Sequence, residues 1–371
     1  MNKLYYWVAI AWLVTACAPD EEPAADTTHE AVDRQAVLIH WADDIIVPGY
    51  EHYSRKLEAL RSAAEVFGQL PDENSLASLR SAWHDAYLAW QRVAMFEIGP
   101  AEATTLRNFT NIYPTDAAAI EQNVQDRNYT FNLPSKYDEQ GFPALDYLLF
   151  GLADSEAALL AHYTDAITGE KYRTYVLQLI NRLNELTTPV VAEWVSSYRD
   201  AFVNNAGTSA TGSINTLVND YLFYYEKALR AGKVGIPAGV FSGGPLPHTV
   251  EGRYAGDISK DLLLESIDAV QDFFNGRAFS GGQQPLGLKD YLDQVEVPAD
   301  REPLSVRING QFDRARQAVQ LLQPNFVQQI ADDNQAMLVA YDALQANVVL
   351  MKVDMLQALN VKVDFVDADG D

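Results

Sequence analysis

Apolar side chains recur every three or four positions through most of this chain, and that spacing admits one main class of fold. Leu76, Leu79, Trp83, Tyr87, Trp90 and Ala94 lie on one face of a helix. So do Tyr172, Val176, Leu179, Leu183 and Leu186. Ser213 stands where an N-cap would precede Ile214, Leu217, Tyr221, Tyr224 and Ala228, and Ser259 where one would precede Leu262, Leu263, Ile267, Val270 and Phe274. The longest run extends from Phe326 to about Leu359, with Ile330, Met337, Tyr341, Leu344, Val348, Met351 and Met355 inward. Strand-like alternation is rare, and VKVDF at 361–365 is its clearest case. The predicted class is all-α, with helices long enough for bundles.

Gly/Pro-rich stretches interrupt the helices at 98–115, which runs into NIYPTD, and at 234–247, VGIPAGVFSGGPLP. NNAGTSATG at 204–212 reads as a crossover between two bundle halves, 32–206 and 207–371. The turn signal G-x-P-A occurs at Gly141–Ala144 and again at Gly235–Ala238, a short echo that hints at duplication. Non-helical segments between two bundles are natural walls for a cleft.

The first residues have another purpose. Lys3 precedes an apolar run of 11 residues, Leu4 to Val14. That is too short to span a bilayer and suits the core of a secretory signal, residues 1–16. Val14-Thr15-Ala16-Cys17 resembles the lipobox of bacterial lipoproteins, in which the cut falls before the Cys and the thiol is lipidated. Cys17 is the sole cysteine of the chain, and lipidation gives a lone thiol in an exported protein a role. The residue after it is Ala18 rather than Asp, which favours the outer membrane over inner-membrane retention. Residues 17–31 continue as a tether rich in Pro, Ala and acids.

Removing Lys3 with the signal moves the formal charge from −24 to −25. Such a balance argues against nucleic acid as a partner and is compatible with cations. None of the six histidines forms an H-E-x-x-H or another close pair. His248 and Glu251 spell H-x-x-E. On a helix they would share a face and could point at one ion, while near a helix start Glu251 could serve as a first-turn acid instead. The closing DADGD resembles the opening of an EF-hand loop without its later ligands and reads as an acidic tail.

The central stretch GFPALDYLLFG (141–151) places one carboxylate, Asp146, in an apolar run between two glycines. It resembles the central motif of the imelysin family, whose metallopeptidase-like members carry G-x-H-x-x-E there. AYLAWQRVAMFEIGPAE (86–102), NIYPTD, GKVGIPAGVFSG (232–243) and KVDMLQALNVKVDFVDADGD (352–371) are also similar to that family, so the resemblance spans roughly residues 35 to 371. It implies an all-helical, extracytoplasmic protein of two bundle-like halves arisen by duplication, linked with iron uptake. It also implies a peptidase label and a site in the cleft near the motif helix. This chain keeps Gly141 but has Pro143 where the family's His would stand and Asp146 where its Glu would stand. Proline has no ligating side chain, and a catalytic zinc needs about three protein ligands with an open position for water.

Three functions fit this reading. One is an outer-membrane lipoprotein that binds metal or takes part in iron acquisition, its partners being the membrane and a metal ion or an envelope transport protein. Another is an imelysin-type peptidase in which other groups replace the lost pair. A third is a scaffold that docks an envelope protein without metal. Iron and zinc are the candidate cofactors. The candidate site is the cleft, where Tyr113, Asp116, Asp146, His248 and Glu251 form a set able to bind a cation or a small polar ligand, or to build a structural hydrogen-bond network.

Overall fold

Helix Val47–Gln69 organises the N-terminal part of the fold. Tyr50, Tyr53, Leu57, Leu60, Ala64 and Phe67 follow the helical repeat and are all buried. They face two long neighbours, Glu73–Gln91 and Gly169–Glu193. Glu73–Gln91 starts with a capping box: an Asp72 carboxylate oxygen accepts from the Ser75 amide at 2.8 Å, and Ser75 Oγ accepts from the Asp72 amide at 3.0 Å. The side chains expected inward on this helix, from Leu76 to Trp90, are buried as predicted. Burying each large apolar side chain of this kind contributes about 1.5–3 kcal/mol.

The computed structural model describes residues 33–282, 285–295 and 302–363. Among these residues the secondary structure is helical and includes no strand, so the protein is all-α. The signal segment 1–16, Cys17, the tether 17–31 and the acidic tail lie outside the described residues, as does the end of VKVDF. Its first three residues, 361–363, adopt no regular structure.

The C-terminal part is built from Ser213–Phe223, Ser259–Phe274, Leu304–Gln320 and Phe326–Val349. Phe326–Val349 packs along Leu304–Gln320 with its expected inward face buried. With its continuation to Leu359 it is long and apolar enough to cross a membrane by composition, yet Met337, Leu344 and Met351 are enclosed by protein. The run is not one uninterrupted helix. It breaks at Asp333 (φ −156°, ψ 84°), whose carbonyl accepts from Gln329 Nε2 at 2.7 Å. Glu73–Gln91 packs against Ser259–Phe274, joining segments from either side of residue 206, and the described residues form one compact unit.

Two expected caps differ. The helix starting at Ser213 has Gly212 at its N-cap, and Ser213 Oγ donates to the Phe202 carbonyl at 2.6 Å. Ile258, not Ser259, is the N-cap of the next helix, and Ser259 Oγ donates to the Glu251 carbonyl at 2.8 Å. In both cases a tertiary acceptor outcompetes the local amide. The G-x-P-A echo is not conformational either: Gly141 has φ +76°, whereas Gly235 lies at φ −64° in the right-handed helical region.

Candidate ligand-binding site

Helix Ser213–Phe223 does not stop at Phe223. It continues through Tyr224–Gly235 in wide turns with i→i+5 hydrogen bonding. Such π turns are uncommon and often mark functional sites. This one turns Lys227 and Lys233 towards a cavity of about 410 Å³. Across the cavity lies the NIYPTD loop, from which Ile112, Tyr113 and Pro114 contribute. The Tyr113–Pro114 peptide bond is cis. Gly232 permits the close approach, since a Cβ there would sit 3.2 Å from the Tyr113 hydroxyl.

Behind this wall Glu251 is buried, at 3% exposure. Its Oε2 accepts from Lys233 Nζ. Its Oε1 accepts from Asn111 Nδ2 at 2.7 Å and lies 3.0 Å from the Tyr87 hydroxyl. Gln91 completes the network, with Oε1 accepting from both Lys233 Nζ and Ser266 Oγ at 2.9 Å. Burial lowers the Lys233 ammonium from its ordinary value, and the Glu251 charge opposes that shift. The Tyr87 hydroxyl is raised well above its usual range, first by burial and then by the Glu251 charge.

The motif helix Gly141–Asp146 supports this centre from the side. Gly141 must be glycine: its φ is positive, and a Cβ would come within 2.1 Å of the Thr110 carbonyl oxygen. Phe142 stacks on Tyr87 with centroids 4.5 Å apart and planes 5° from parallel. Asp146 reaches the turn that carries Glu251, accepting from the Tyr254 amide at 3.0 Å and the Ala255 amide at 2.8 Å. Burial pushes its carboxyl up to about 7 against the pull of those two hydrogen bonds.

The expected set therefore separates. Tyr113 lines the cavity, while Glu251 and Asp146 lie behind it. Asp116 is exposed and caps the helix Ala117–Asp126, accepting from the Ala119 amide at 3.0 Å. His248 and Glu251 do not share a helical face. The helical turn is a single one of 3₁₀ type, Pro247–Thr249, and Val250 is extended, so His248 faces solvent and Glu251 turns inward. Among the described residues no three His, Cys, Asp or Glu side chains gather as a metal site.

Residues 46–351 match the family model of imelysin. The chain belongs to the imelysin family. It is similar to Iron-regulated protein A of Synechococcus elongatus (strain ATCC 33912 / PCC 7942 / FACHB-805), 22% identical over 320 residues, which are 84% of this chain and 79% of that relative. Among solved structures it resembles a protein described as an iron-regulated protein A precursor from Parabacteroides distasonis ATCC 8503. The TM-score is 0.72 at 16% identity, covering 88% of this chain and 95% of that one. It also resembles an imelysin-like protein from Psychrobacter arcticum 273-4, with TM-score 0.68 and 17% identity over 90% and 97% of the two chains.

In this family member the candidate donor set does not fit the catalytic zinc of a peptidase. Pro143 offers no ligand atom, both Asp146 oxygens accept backbone amides, and Glu251 is neutralised by Lys233. Lys233, Lys227, Asn111 and Gln91 were not singled out in the sequence, and Tyr87 was read there only as part of a buried helix face. The available signal was the spacing of Lys227, Arg230 and Lys233, three cations at helical intervals just before a Gly/Pro-rich turn in an acidic chain.

Proposed function

We propose that this imelysin-family chain is a lipid-anchored binding protein of the bacterial outer membrane that serves iron acquisition, not a peptidase. The observation that carries the reading is the Glu251–Lys233 pair. This carboxylate, behind the cavity wall, is already matched by a buried cation and a neutral donor, Asn111. A site built this way holds its own charges still and leaves shape and donors to recognise a ligand. The lipobox-like VTAC segment supports the anchor, and the iron-regulated designation of the similar proteins supports the link to iron.

Two measurements test this. Cys17→Ala should release the protein from membranes and abolish labelling by a fatty-acid probe. A strain without the protein should grow more slowly under iron limitation and recover with the wild-type gene. Unchanged membrane association of the variant would overturn the anchor. One tightly held zinc with chelator-sensitive proteolysis would overturn the binding-protein reading in favour of a peptidase.

A further inference from the structure

Arg107, Lys227 and Lys233 line the 410 Å³ cavity, and each already has an acid of its own. Lys233 pairs with Glu251 and donates to Gln91 Oε1 at 2.9 Å. Arg107 pairs with Asp220 at 2.9 Å and with Glu97 at 3.2 Å. Lys227 lies 3.1 Å from Glu226. The charges at this wall therefore answer one another. An ionised guest would give up its water without gaining an unmatched counter-charge, and such a transfer is costly.

Neutral polar groups at the same wall are left over. Tyr113 is half-buried, and its hydroxyl has no hydrogen-bond partner among the described residues. Burial, and then the Glu251 charge, raise that hydroxyl well above its usual range, so it keeps its proton and can donate. Asn108 is half-buried too, and its carboxamide likewise has no hydrogen-bond partner among the described residues. A carboxamide offers two donor hydrogens and an acceptor oxygen. Polar groups in a recess are ordinarily hydrogen-bonded, so this pair is capacity that a guest can complete. Much of the remaining wall is apolar, with Trp90, Ala94, Ile112, Pro114, Ala228 and Ile236.

We propose that this cavity binds an uncharged small molecule that carries a carboxamide or lactam group on a compact apolar body. The amide carbonyl would accept from the Tyr113 hydroxyl. The amide edge would pair with the Asn108 carboxamide, whose donors and acceptor it mirrors. The apolar body would lie against Trp90, Ile112 and Ile236. At about 410 Å³ the cavity is at the lower end of the range for small-molecule sites, which suits a single substituted ring. An ester or a ketone would satisfy donors alone and leave the Asn108 oxygen unused. A carboxylate would bring a charge for which the wall holds no unmatched partner. The inference rests on the binding-protein reading and gives it a ligand class.

The test is a ligand-observed NMR titration of the detergent-solubilised full chain with 2-phenylacetamide. Phenylacetate serves as the anion of the same shape and 2-phenylethylammonium as the cation. The amide should bind saturably, with both ions at least about tenfold weaker. Tyr113→Phe should weaken amide binding about fivefold, the loss of one neutral hydrogen bond. Ala228→Phe should block the cavity sterically while the chain stays folded by circular dichroism, and in the same detergent it also measures partition into micelles. Absence of saturable binding, an ion that binds as tightly as the amide, or undiminished affinity in either variant would overturn the proposal. None of those results bears on membrane release by Cys17→Ala or on growth under iron limitation, so the two readings fail separately.

Discussion

Lys233 and Glu251 form an ion pair in which each partner is only 3% exposed. They sit 18 residues apart in sequence, on the wide-turned helix and on the turn that follows the Gly/Pro-rich loop. Removing either partner alone leaves a buried charge unmatched, which costs about 3–5 kcal/mol. Lys233→Met and Glu251→Gln should therefore each lower the urea midpoint strongly. The double variant should be more stable than the sum of the two by about 1–3 kcal/mol. Strict additivity would mean that the pair does not interact in solution.

Asp146→Asn tests the motif helix. The Asp146 carboxyl is raised from 3.8 to about 7 in the folded protein, so the folded state binds its proton more tightly than the unfolded chain does. The resulting stability is complete below about pH 4 and is lost as pH rises through about 7. The advantage of the wild type over Asp146→Asn should shrink across that window. Parallel stability curves from pH 4 to 8 would contradict the buried, titrating carboxyl. Iron and zinc affinity should not change, because both Asp146 oxygens are committed to the Tyr254 and Ala255 amides.

Gly141→Ala should destabilise the fold by more than about 1 kcal/mol, since an added Cβ meets a carbonyl oxygen in a backbone region that disfavours side chains. Chemical denaturation reads this directly. An unchanged midpoint would show that the motif glycine is dispensable.

His248→Ala should be nearly silent. The side chain is exposed, and stability should move by no more than about 0.5 kcal/mol. Zinc and iron titrations of the variant should superimpose on the wild type. Loss of a high-affinity phase would restore the H-x-x-E reading.

Helical faces such as Leu76–Trp90 were legible because a helix repeats locally and its buried stripe repeats with it. Tyr113 was legible because it lies in a loop that no bundle can absorb. The ion pair was not. Tyr87, Asn111, Lys233 and Glu251 come from four segments, and only packing of Glu73–Gln91 beside the C-terminal helices brings them to one point. His248 and Glu251 misled for the complementary reason: their spacing has meaning on an α-helix, and the extended Val250 breaks it. Ser213 and Ser259 had the right chemistry for caps and instead donate to carbonyls of the segments that lead into their helices, those of Phe202 and Glu251.

The wide turns of Tyr224–Gly235 make the position of Lys233 a matter of chain length as well as residue type. A π segment accommodates extra residues that ordinary α turns would not hold. Deleting one residue there would let the helix tighten with both flanks intact. It would also rotate Lys233 by about 100° relative to Tyr224, away from Glu251 and from the cavity. Two relatives could thus share every residue type of this wall and still recognise different molecules, separated by a single-codon deletion that a comparison of side chains alone would score as a gap.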